Sequence, residues 1–215
     1  MRRVHIKTLV LGGYQANCYL VRSNDTKDVV VIDPGNQVEK IKDYLTKNDL
    51  ECKRILLTHG HFDHIGAASQ LRALTGAKIY IHEKDGPLLR DPNLNVSAYA
   101  GDGDISFEAD ELLKDDEEFV EAGLSWQVMH TPGHTSGGVC YYLKDEGEIF
   151  TGDTIFYESV GRSDFPTGNQ QTLIDTISNK LMILDDSIEL YPGHGRPTTI
   201  GHERKYNPFF KIYYS

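Results

Sequence analysis

Cysteine is scarce in this chain, and its three cysteines lack the spacing of a disulfide framework or a zinc ribbon. Cys18, Cys52 and Cys140 form an odd set with no CxxC pair. We therefore expect reduced side chains that pack as small buried hydrophobes, which suits a reducing cytoplasm. None of the three is expected to act as a nucleophile.

Long apolar runs and an excess of basic charge are also missing. No apolar stretch approaches the ~20 residues that a membrane-spanning helix needs, and the short one near the start is broken by Lys7, which favours a strand over a signal peptide. The chain has 22 Lys and Arg against 32 Asp and Glu, a formal net charge of −10. No basic stripe suited to a phosphate backbone is visible. We expect a cytoplasmic protein that acts on small molecules, with neither nucleic acid nor membrane as partner and with no oligomeric state specified.

The composition that remains is that of an ordinary globular protein. The chain has 215 residues, of which 39% are hydrophobic and 25% charged, so we predict one domain over residues 1–215. Apolar alternation and turn residues predict two series of strands, and helical stripes are predicted over 37–48 and 172–184. The two halves resemble each other, since each contains strands followed by a strand, a polar loop and a helix.

The most informative segment is THGHFDH at 58–64, which follows a short apolar strand. His59 and His61 alternate, so an extended backbone directs both rings to one side. Asp63 and His64 follow where a helix should begin, and a compact turn there directs them toward a second point. Imidazole and carboxylate together suit zinc, and also iron or manganese. The alternative, a polar loop with chance histidines, is disfavoured because the chain has only nine.

Three isolated polar residues recur in a similar setting farther along the chain. His134, Asp153 and His194 each follow a predicted strand, and a glycine immediately precedes each of them. Glycine permits tight turns and close backbone approach. Each residue alone would fit an ordinary loop, but together with segment 58–64 they complete two coordination shells.

These segments, HGHFDH, GHT, GD and GHG, resemble in type and order the motifs of the metallo-β-lactamase fold superfamily. The resemblance covers essentially the whole chain and implies a four-layer αββα sandwich. It also implies two divalent metal ions at one edge between the sheets, with zinc expected and iron or manganese as alternatives. The ligands that it implies are His59, His61 and His134 for the first ion, Asp63, His64 and His194 for the second, and Asp153 as a bridge.

Within that superfamily, GDTIF at 152–156 and GRSDFP at 161–166 are similar to the type II glyoxalases, which are hydroxyacyl-thioester hydrolases. This similarity implies that Arg162 binds a substrate carboxylate. Two positions depart from the group, because Asp164 and Arg196 stand where it has tyrosines. Arg196 is expected to offset one missing tyrosine by binding substrate. The resemblance therefore supports thioester hydrolysis better than it supports glutathione as the thiol.

The reaction expected from this set is attack by a metal-bound hydroxide on a thioester carbonyl. Metal ions lower the pKa of bound water toward ~7, and a thiolate leaves easily because thiols have a pKa near ~8.5. Asp63 and Asp153 would shape the metal shell and accept a proton transiently. Asp33, which ends the third predicted strand, is expected to accept the free N–H of a ligand histidine and fix its tautomer. Its alternative role is a carboxylate in a strand-ending turn.

Three other functions stay open at this point. A persulfide dioxygenase of the same fold needs one iron and oxygen, and the residues do not exclude it. A phosphodiesterase or nuclease is disfavoured by the acidic charge, and a non-catalytic metal-binding module by the intact ligand set. Four further histidines are not expected to bind metal: His5, His82, His130 and His202.

Overall fold

The computed structural model describes residues 3–100 and 103–210. Two six-stranded sheets face each other in these ranges, and helices cover the outer face of each sheet. The order of layers is therefore helix, sheet, sheet, helix, as the motif resemblance predicts. No helix in the described ranges combines the length and the apolar character that crossing a membrane requires.

The first sheet has its strands in chain order. They are β1 (Val4–Leu11), β2 (Ala16–Ser23), β3 (Asp28–Ile32), β4 (Glu51–Leu56), β5 (Lys78–His82) and β6 (Glu111–Leu113). The first three strands pair antiparallel, as the turn residues between them predict, and β3 to β6 run parallel. The parallel connections carry the helices α1 (Val38–Lys47), α2 (Phe62–Ile65), α3 (Ala68–Thr75) and α4 (Ser97–Ala100), and a 3₁₀ turn, Gly86–Arg90.

The second sheet has the spatial order β14-β13-β10-β9-β8-β7. Its strands are β7 (Glu118–Glu121), β8 (Leu124–His130), β9 (Val139–Leu143), β10 (Glu148–Gly152), β13 (Glu189–Pro192) and β14 (Thr198–Thr199). A separate two-stranded ribbon is formed by β11 (Ile155–Phe156) and β12 (Ser159–Val160), and the helices on this side are α5 (Gln170–Thr176), a π turn (Ile177–Leu181) and α6 (Ile200–Tyr206). Among the described strands of this sheet, β10 and β13 pair parallel and the other neighbours pair antiparallel.

Alternating burial along the strands creates three apolar layers. In β3, Val30 and Ile32 point between the sheets toward Trp126 and Phe150, while Val29 and Val31 point to the opposite face, where α1 and α3 pack. A third cluster lies between the outer face of the second sheet and the helices α5 and α6. Successive strand side chains alternate between faces, so a strand covered on both sides is apolar throughout.

The sequence patterns missed several short elements. Residues 83–118 include the 3₁₀ turn, the helix α4 and strand β6, and β7 begins at Glu118, the last residue of the acidic run 114–118. The helix predicted over 172–184 begins two residues earlier, where the Asn169 side chain accepts a hydrogen bond from the Thr172 N–H, and its last part is the π turn. Strands of two to four residues are too short to produce a clear period.

Candidate metal centre

The predicted polar residues lie at one edge of the two sheets, in loops and in the short helix α2. Asp33 and His59 follow the parallel strands β3 and β4, and Asp153 and His194 follow the parallel strands β10 and β13. The carboxyl ends of parallel neighbours meet at the same edge, so each pair of loops is adjacent. Backbone contacts across the sheets close this edge, since Asn17 N–H donates to the Gly193 carbonyl at 2.7 Å and Val139 N–H donates to the Thr58 carbonyl at 2.8 Å.

Three histidines from two loops form what we call the first donor group: His59, His61 and His134. One ring nitrogen from each lies within 4.8 Å of the others, and all three residues are buried. His61 Nδ1 and His134 Nε2 are 2.9 Å apart. His59 and His61 come from the segment between β4 and α2, where the backbone bends at Thr58 and His59 and is extended at His61, whereas His134 comes from the loop that follows β8.

The second donor group consists of Asp63, His64 and His194. Asp63 Oδ2 lies 3.2 Å from His194 Nε2 and 3.7 Å from His64 Nε2. Asp63 and His64 lie on the short helix α2, which begins directly after His61. His64 is fully buried, while the His194 side chain is 29% exposed, so solvent and substrate can approach this group from the His194 side.

The Asp153 carboxylate lies between the two groups. Its Oδ2 is 3.7 Å from His134 Nε2 in the first group and 3.7 Å from His194 Nε2 in the second, and its Oδ1 is 3.3 Å from His64 Nε2. One carboxylate therefore faces nitrogens of both groups, which is the geometry that a bridging ligand needs.

The donor atoms fit metal ions better than they fit each other. His59 Nε2 and Asp153 Oδ1 are buried and have no hydrogen-bond partner among the described residues. Buried polar atoms are normally satisfied, so such atoms that converge on one point suit an ion. Nitrogen and carboxylate oxygen are ligands of zinc, iron and manganese.

Burial and charge set the protonation of the two groups differently. Burial, together with the neighbouring His134, lowers the pKa of His61 to about 3, and burial likewise lowers the pKa of His59, so both rings are neutral and able to bind a cation. Burial also acts to lower the pKa of His64, but the carboxylates of Asp153 and Asp63 outweigh it and raise that pKa. The second group thus attracts a positive charge, either a proton or a metal ion.

Asp33 holds histidines of both groups. Its Oδ2 accepts a hydrogen bond from His64 Nδ1 at 3.0 Å and another from the Thr58 hydroxyl at 2.6 Å, and its Oδ1 accepts the Thr58 N–H at 2.8 Å. The Thr58 oxygen also lies 3.0 Å from His59 Nδ1. These contacts leave Nε2 of both rings pointing into the site. Thr58 was not singled out from the sequence, because a threonine beside a histidine carries no signal of its own.

His134 is oriented by the backbone of a residue that was predicted to bind substrate. His134 Nδ1 donates to the carbonyl oxygen of Arg162 at 2.6 Å, which leaves Nε2 facing His61. A backbone acceptor of this kind cannot be recognised from residue types. The loop at 161–162 therefore contributes to the site whatever its side chains do.

Glycine is required where the loops meet. A Cβ at Gly193 would lie 2.2 Å from Asp153 Oδ1 and 2.7 Å from His64 Cε1, and a Cβ at Gly152, whose φ is +47°, would lie 2.3 Å from Thr58 Oγ1. Both glycines immediately precede a candidate ligand. Their absent side chains allow the backbones to approach the ligands closely.

The two predicted substrate arginines lie on the surface beside the donor groups. The Arg162 guanidinium makes two hydrogen bonds to Asp164, at 2.9 and 2.8 Å, and lies 4.2 Å from the centre of the Phe165 ring, which contacts His61. The Arg196 guanidinium lies 3.5 Å from the centre of the Tyr157 ring. Both cations are thus already held by neighbours of their own chain.

The four remaining histidines lie outside both donor groups. His82 and His130 stack on each other with ring centres 4.2 Å apart, and His130 Nε2 donates to the Ser136 carbonyl. His202 pairs with Glu158, and the exposed His5 lies on β1. That none of them binds metal stays a prediction.

Comparison with known proteins agrees with this geometry. Residues 11–194 match the family described as the metallo-beta-lactamase superfamily. The chain is 36% identical over 208 residues, 96% of this chain and 98% of the relative, to a protein of Haemophilus influenzae named hydroxyacylglutathione hydrolase GloC. The structure of BLEG-1 B3 metallo-beta-lactamase superposes with a TM-score of 0.92 at 37% identity, covering 96% of this chain and all of that one. The di-iron-bound form of TTHA1623 superposes with a TM-score of 0.86 at 33% identity, covering 94% and 99%. With two His/Asp donor groups at the edge of an αββα sandwich, the chain belongs to the metallo-beta-lactamase superfamily of metal-dependent hydrolases.

Proposed function

We propose that this protein hydrolyses hydroxyacyl thioesters with the help of two divalent metal ions. The observation that carries the proposal is the pair of donor groups joined by one carboxylate. In this proposal the first donor group binds one ion, the second donor group binds the other, and Asp153 bridges them. Because the two sheets share one apolar core, we also propose that residues 1–215 act as a single domain.

Zinc is the ion that we propose, with iron or manganese as alternatives. When bound, such ions act as Lewis acids on a carbonyl oxygen and lower the pKa of bound water toward neutrality. The side chains supply a neutral first group and a second group with two carboxylates close by. Asp33 and the Arg162 carbonyl keep the proton of His64 and of His134 on Nδ1, which leaves each Nε2 free to bind.

Asp63 and Asp153 have a second proposed role as proton acceptors. Burial acts to raise the pKa of each carboxyl, but nearby histidines, His64 foremost, lower it, so both are anionic at neutral pH. An anionic oxygen at Asp63 Oδ2 can take a proton from attacking water. The departing thiolate needs little acid, because thiols have a pKa near ~8.5. No protein nucleophile is required.

The surface beside the site supports a substrate with an anionic thiol portion. Arg162 and Asp164 are 64% and 68% exposed, and exposed ion pairs of this kind contribute only about 0–1 kcal/mol. A substrate carboxylate can therefore replace Asp164 on the guanidinium. The name of the relative, hydroxyacylglutathione hydrolase, supports testing S-lactoylglutathione first. Arg196 is proposed to contact substrate on the His194 side.

Steady-state kinetics test this proposal. Wild type loaded with zinc should hydrolyse S-lactoylglutathione, and Arg162→Ala should chiefly raise KM, by about 2- to 5-fold, because an ion pair to this exposed guanidinium contributes about 0–1 kcal/mol. On an analogue of S-lactoylglutathione without the glycine carboxylate, wild type and Arg162→Ala should have the same KM. Asp164→Ala should lower KM by about 2- to 5-fold, because it removes the competing carboxylate.

The matched control is Arg90→Ala, since Arg90 is an exposed arginine paired with Glu108 outside the site. Its kinetics should equal those of wild type. Equal KM changes for Arg162→Ala on both substrates would show that Arg162 does not bind the carboxylate. Absence of thioester hydrolysis together with oxygen uptake on a persulfide in the iron form would assign the dioxygenase alternative, and hydrolysis of phosphodiesters alone would assign a phosphodiesterase.

A further inference from the structure

A fully buried carboxylate, Asp85, lies between the two loops of the first donor group. It follows β5 and immediately precedes the 3₁₀ turn Gly86–Arg90. Its Oδ2 accepts the Gly60 N–H at 3.0 Å and the Thr135 hydroxyl at 2.7 Å, and its Oδ1 accepts the Gly137 N–H at 2.6 Å. Three donors therefore share one carboxylate that belongs to neither loop.

The positions of these donors connect Asp85 to the metal site. Gly60 stands between His59 and His61, and Thr135 directly follows His134. The two loops are far apart in the sequence, and their three rings must converge to within a few ångströms. A carboxylate that binds both backbones fixes the distance between the loops at a point one residue from each ring.

Burial of Asp85 is costly, which argues against an incidental contact. No ion pair to Asp85 occurs among the described residues, and a carboxylate removed from water is unfavourable unless other groups compensate its charge. Burial raises the pKa of this carboxyl to about 6, although its three hydrogen bonds act in the opposite direction. The three donors are the only compensation that the described residues provide.

The packing around Asp85 allows little adjustment. A Cβ at Gly60 would lie 2.6 Å from the Leu88 Cβ, and a Cβ at Gly137 would lie 2.4 Å from the Asp85 nitrogen. Both loops therefore approach the 3₁₀ turn closely at residues without a side chain. No water fits between groups at these distances, so the contacts of Asp85 with the two loops are direct and tightly packed.

We propose that Asp85 is a positioning residue that holds the 59–61 loop and the 134–137 loop together so that His59, His61 and His134 converge on one metal ion. This role rests on the proposed metal site. Asp85 touches neither the ion nor the substrate. Asp85 affects the affinity of the first donor group for its metal ion. The second donor group, which Asp33 orients, depends less on Asp85.

Asp85→Asn is the sharpest perturbation, because an amide has the same shape but only one acceptor oxygen. Donors converge on both carboxylate oxygens, so in either orientation an amide N–H faces a backbone N–H. Thr135→Val is a milder second variant, since it removes only the hydroxyl contact to the His134 loop. Asp110→Asn is the control variant. Asp110 accepts the backbone N–H of Ile79 in β5, the strand that Asp85 follows, and makes this contact away from the 59–61 and 134–137 loops.

The experiment is a zinc titration of the metal-free proteins against a chelator, with thermal unfolding and the cobalt(II) absorption spectrum measured in parallel. Wild type should bind two zinc ions. Asp85→Asn should weaken one of them by about 10- to 100-fold, as outer partners of metal ligands typically do, and change the cobalt spectrum. Thr135→Val should show a smaller change in the same direction. His194→Ala removes a ligand of the second donor group, so the ion that remains in this variant is the ion of the first donor group. Adding Asp85→Asn to His194→Ala should weaken the binding of that remaining ion.

Unchanged zinc affinities and an unchanged cobalt spectrum in both Asp85→Asn and Thr135→Val would overturn the role of Asp85. So would equal losses in Asp85→Asn and Asp110→Asn, because these would reflect general destabilisation. If Asp85→Asn does not fold, Thr135→Val decides by the same criteria. A wild type that binds no zinc, iron or manganese would instead contradict the proposed metal site itself.

Discussion

Asp33→Asn should weaken the ion of the second donor group much more than the ion of the first. Asp33 Oδ1 accepts the Thr58 N–H, so the asparagine oxygen stays there and its nitrogen takes the place of Oδ2, 3.0 Å from His64 Nδ1. Two donors would then face each other at His64, whereas the Thr58 hydroxyl can turn to accept the amide N–H and still accept from His59 Nδ1. His64 can relieve this only by moving its proton to Nε2, which is the nitrogen that points into the site.

The magnitude follows from the contacts that change. Loss of one hydrogen bond to a carboxylate costs about 1.5–3 kcal/mol, which corresponds to an affinity loss of about 10- to 100-fold at roughly 1.4 kcal/mol per factor of ten. The same range is typical when the carboxylate behind a ligand histidine is removed.

The assay is a chelator-competition titration in wild type and in a His194→Ala background that leaves the first donor group intact. Asp33→Asn should weaken one ion in wild type and cause little further change in the His194→Ala background. Thr58→Val is the matched variant, because it keeps the contact between Asp33 and His64 and removes the hydroxyl beside His59. It should affect the ion that remains in the His194→Ala background. The same pattern of losses for Asp33→Asn and Thr58→Val would refute this reasoning.

Three further outcomes are expected. Asp153→Ala should lower zinc content and turnover together, whereas His130→Ala should change neither; identical behaviour of the two would contradict the ligand assignment. Gly193→Ala should either lower the free energy of unfolding by about 1–3 kcal/mol or abolish binding of one zinc ion, because its Cβ would lie 2.2 Å from Asp153 Oδ1. Gly13→Ala is the control, because its Cβ would meet nothing within 4 Å. It should leave urea unfolding unchanged. Burial, together with the stacked His130, lowers the pKa of His82 from 6.5 to about 4, so the stability that neutral His82 contributes is present above pH 6.5 and lost as the pH falls through about 4. His82→Phe should therefore lose about 1–2 kcal/mol less than wild type between pH 7 and pH 4 in the metal-free protein; parallel curves would show that His82 does not titrate in this way.

The chemistry of the site was readable from the sequence because its residue types are rare and locally ordered. Three histidines and an aspartate within 59–64 have few structural uses together, and the glycines before His134, Asp153 and His194 mark loops where backbones approach closely. The continuous apolar run of β3 and the apolar stripe of α1 can likewise be read from neighbouring residues. The residue pattern therefore identified the candidate ligands, whereas the layers of the fold were implied by the resemblance of the motifs to a known superfamily.

Only the tertiary structure decided which groups orient those residues and which side chains near the site are already paired with each other. The supports of the ligands are Thr58, Asp85 and the carbonyl of Arg162, and each makes at least one hydrogen bond to a segment distant in sequence. Such contacts have no period and need no particular motif. The pairing of Arg162 with Asp164 also depends on side-chain conformation, and strands as short as β6 and β14 exist because a neighbouring strand pairs with them. Local residue types specify which groups can bind a metal, whereas their orientation depends on hydrogen bonds that form only when distant loops are brought to one edge.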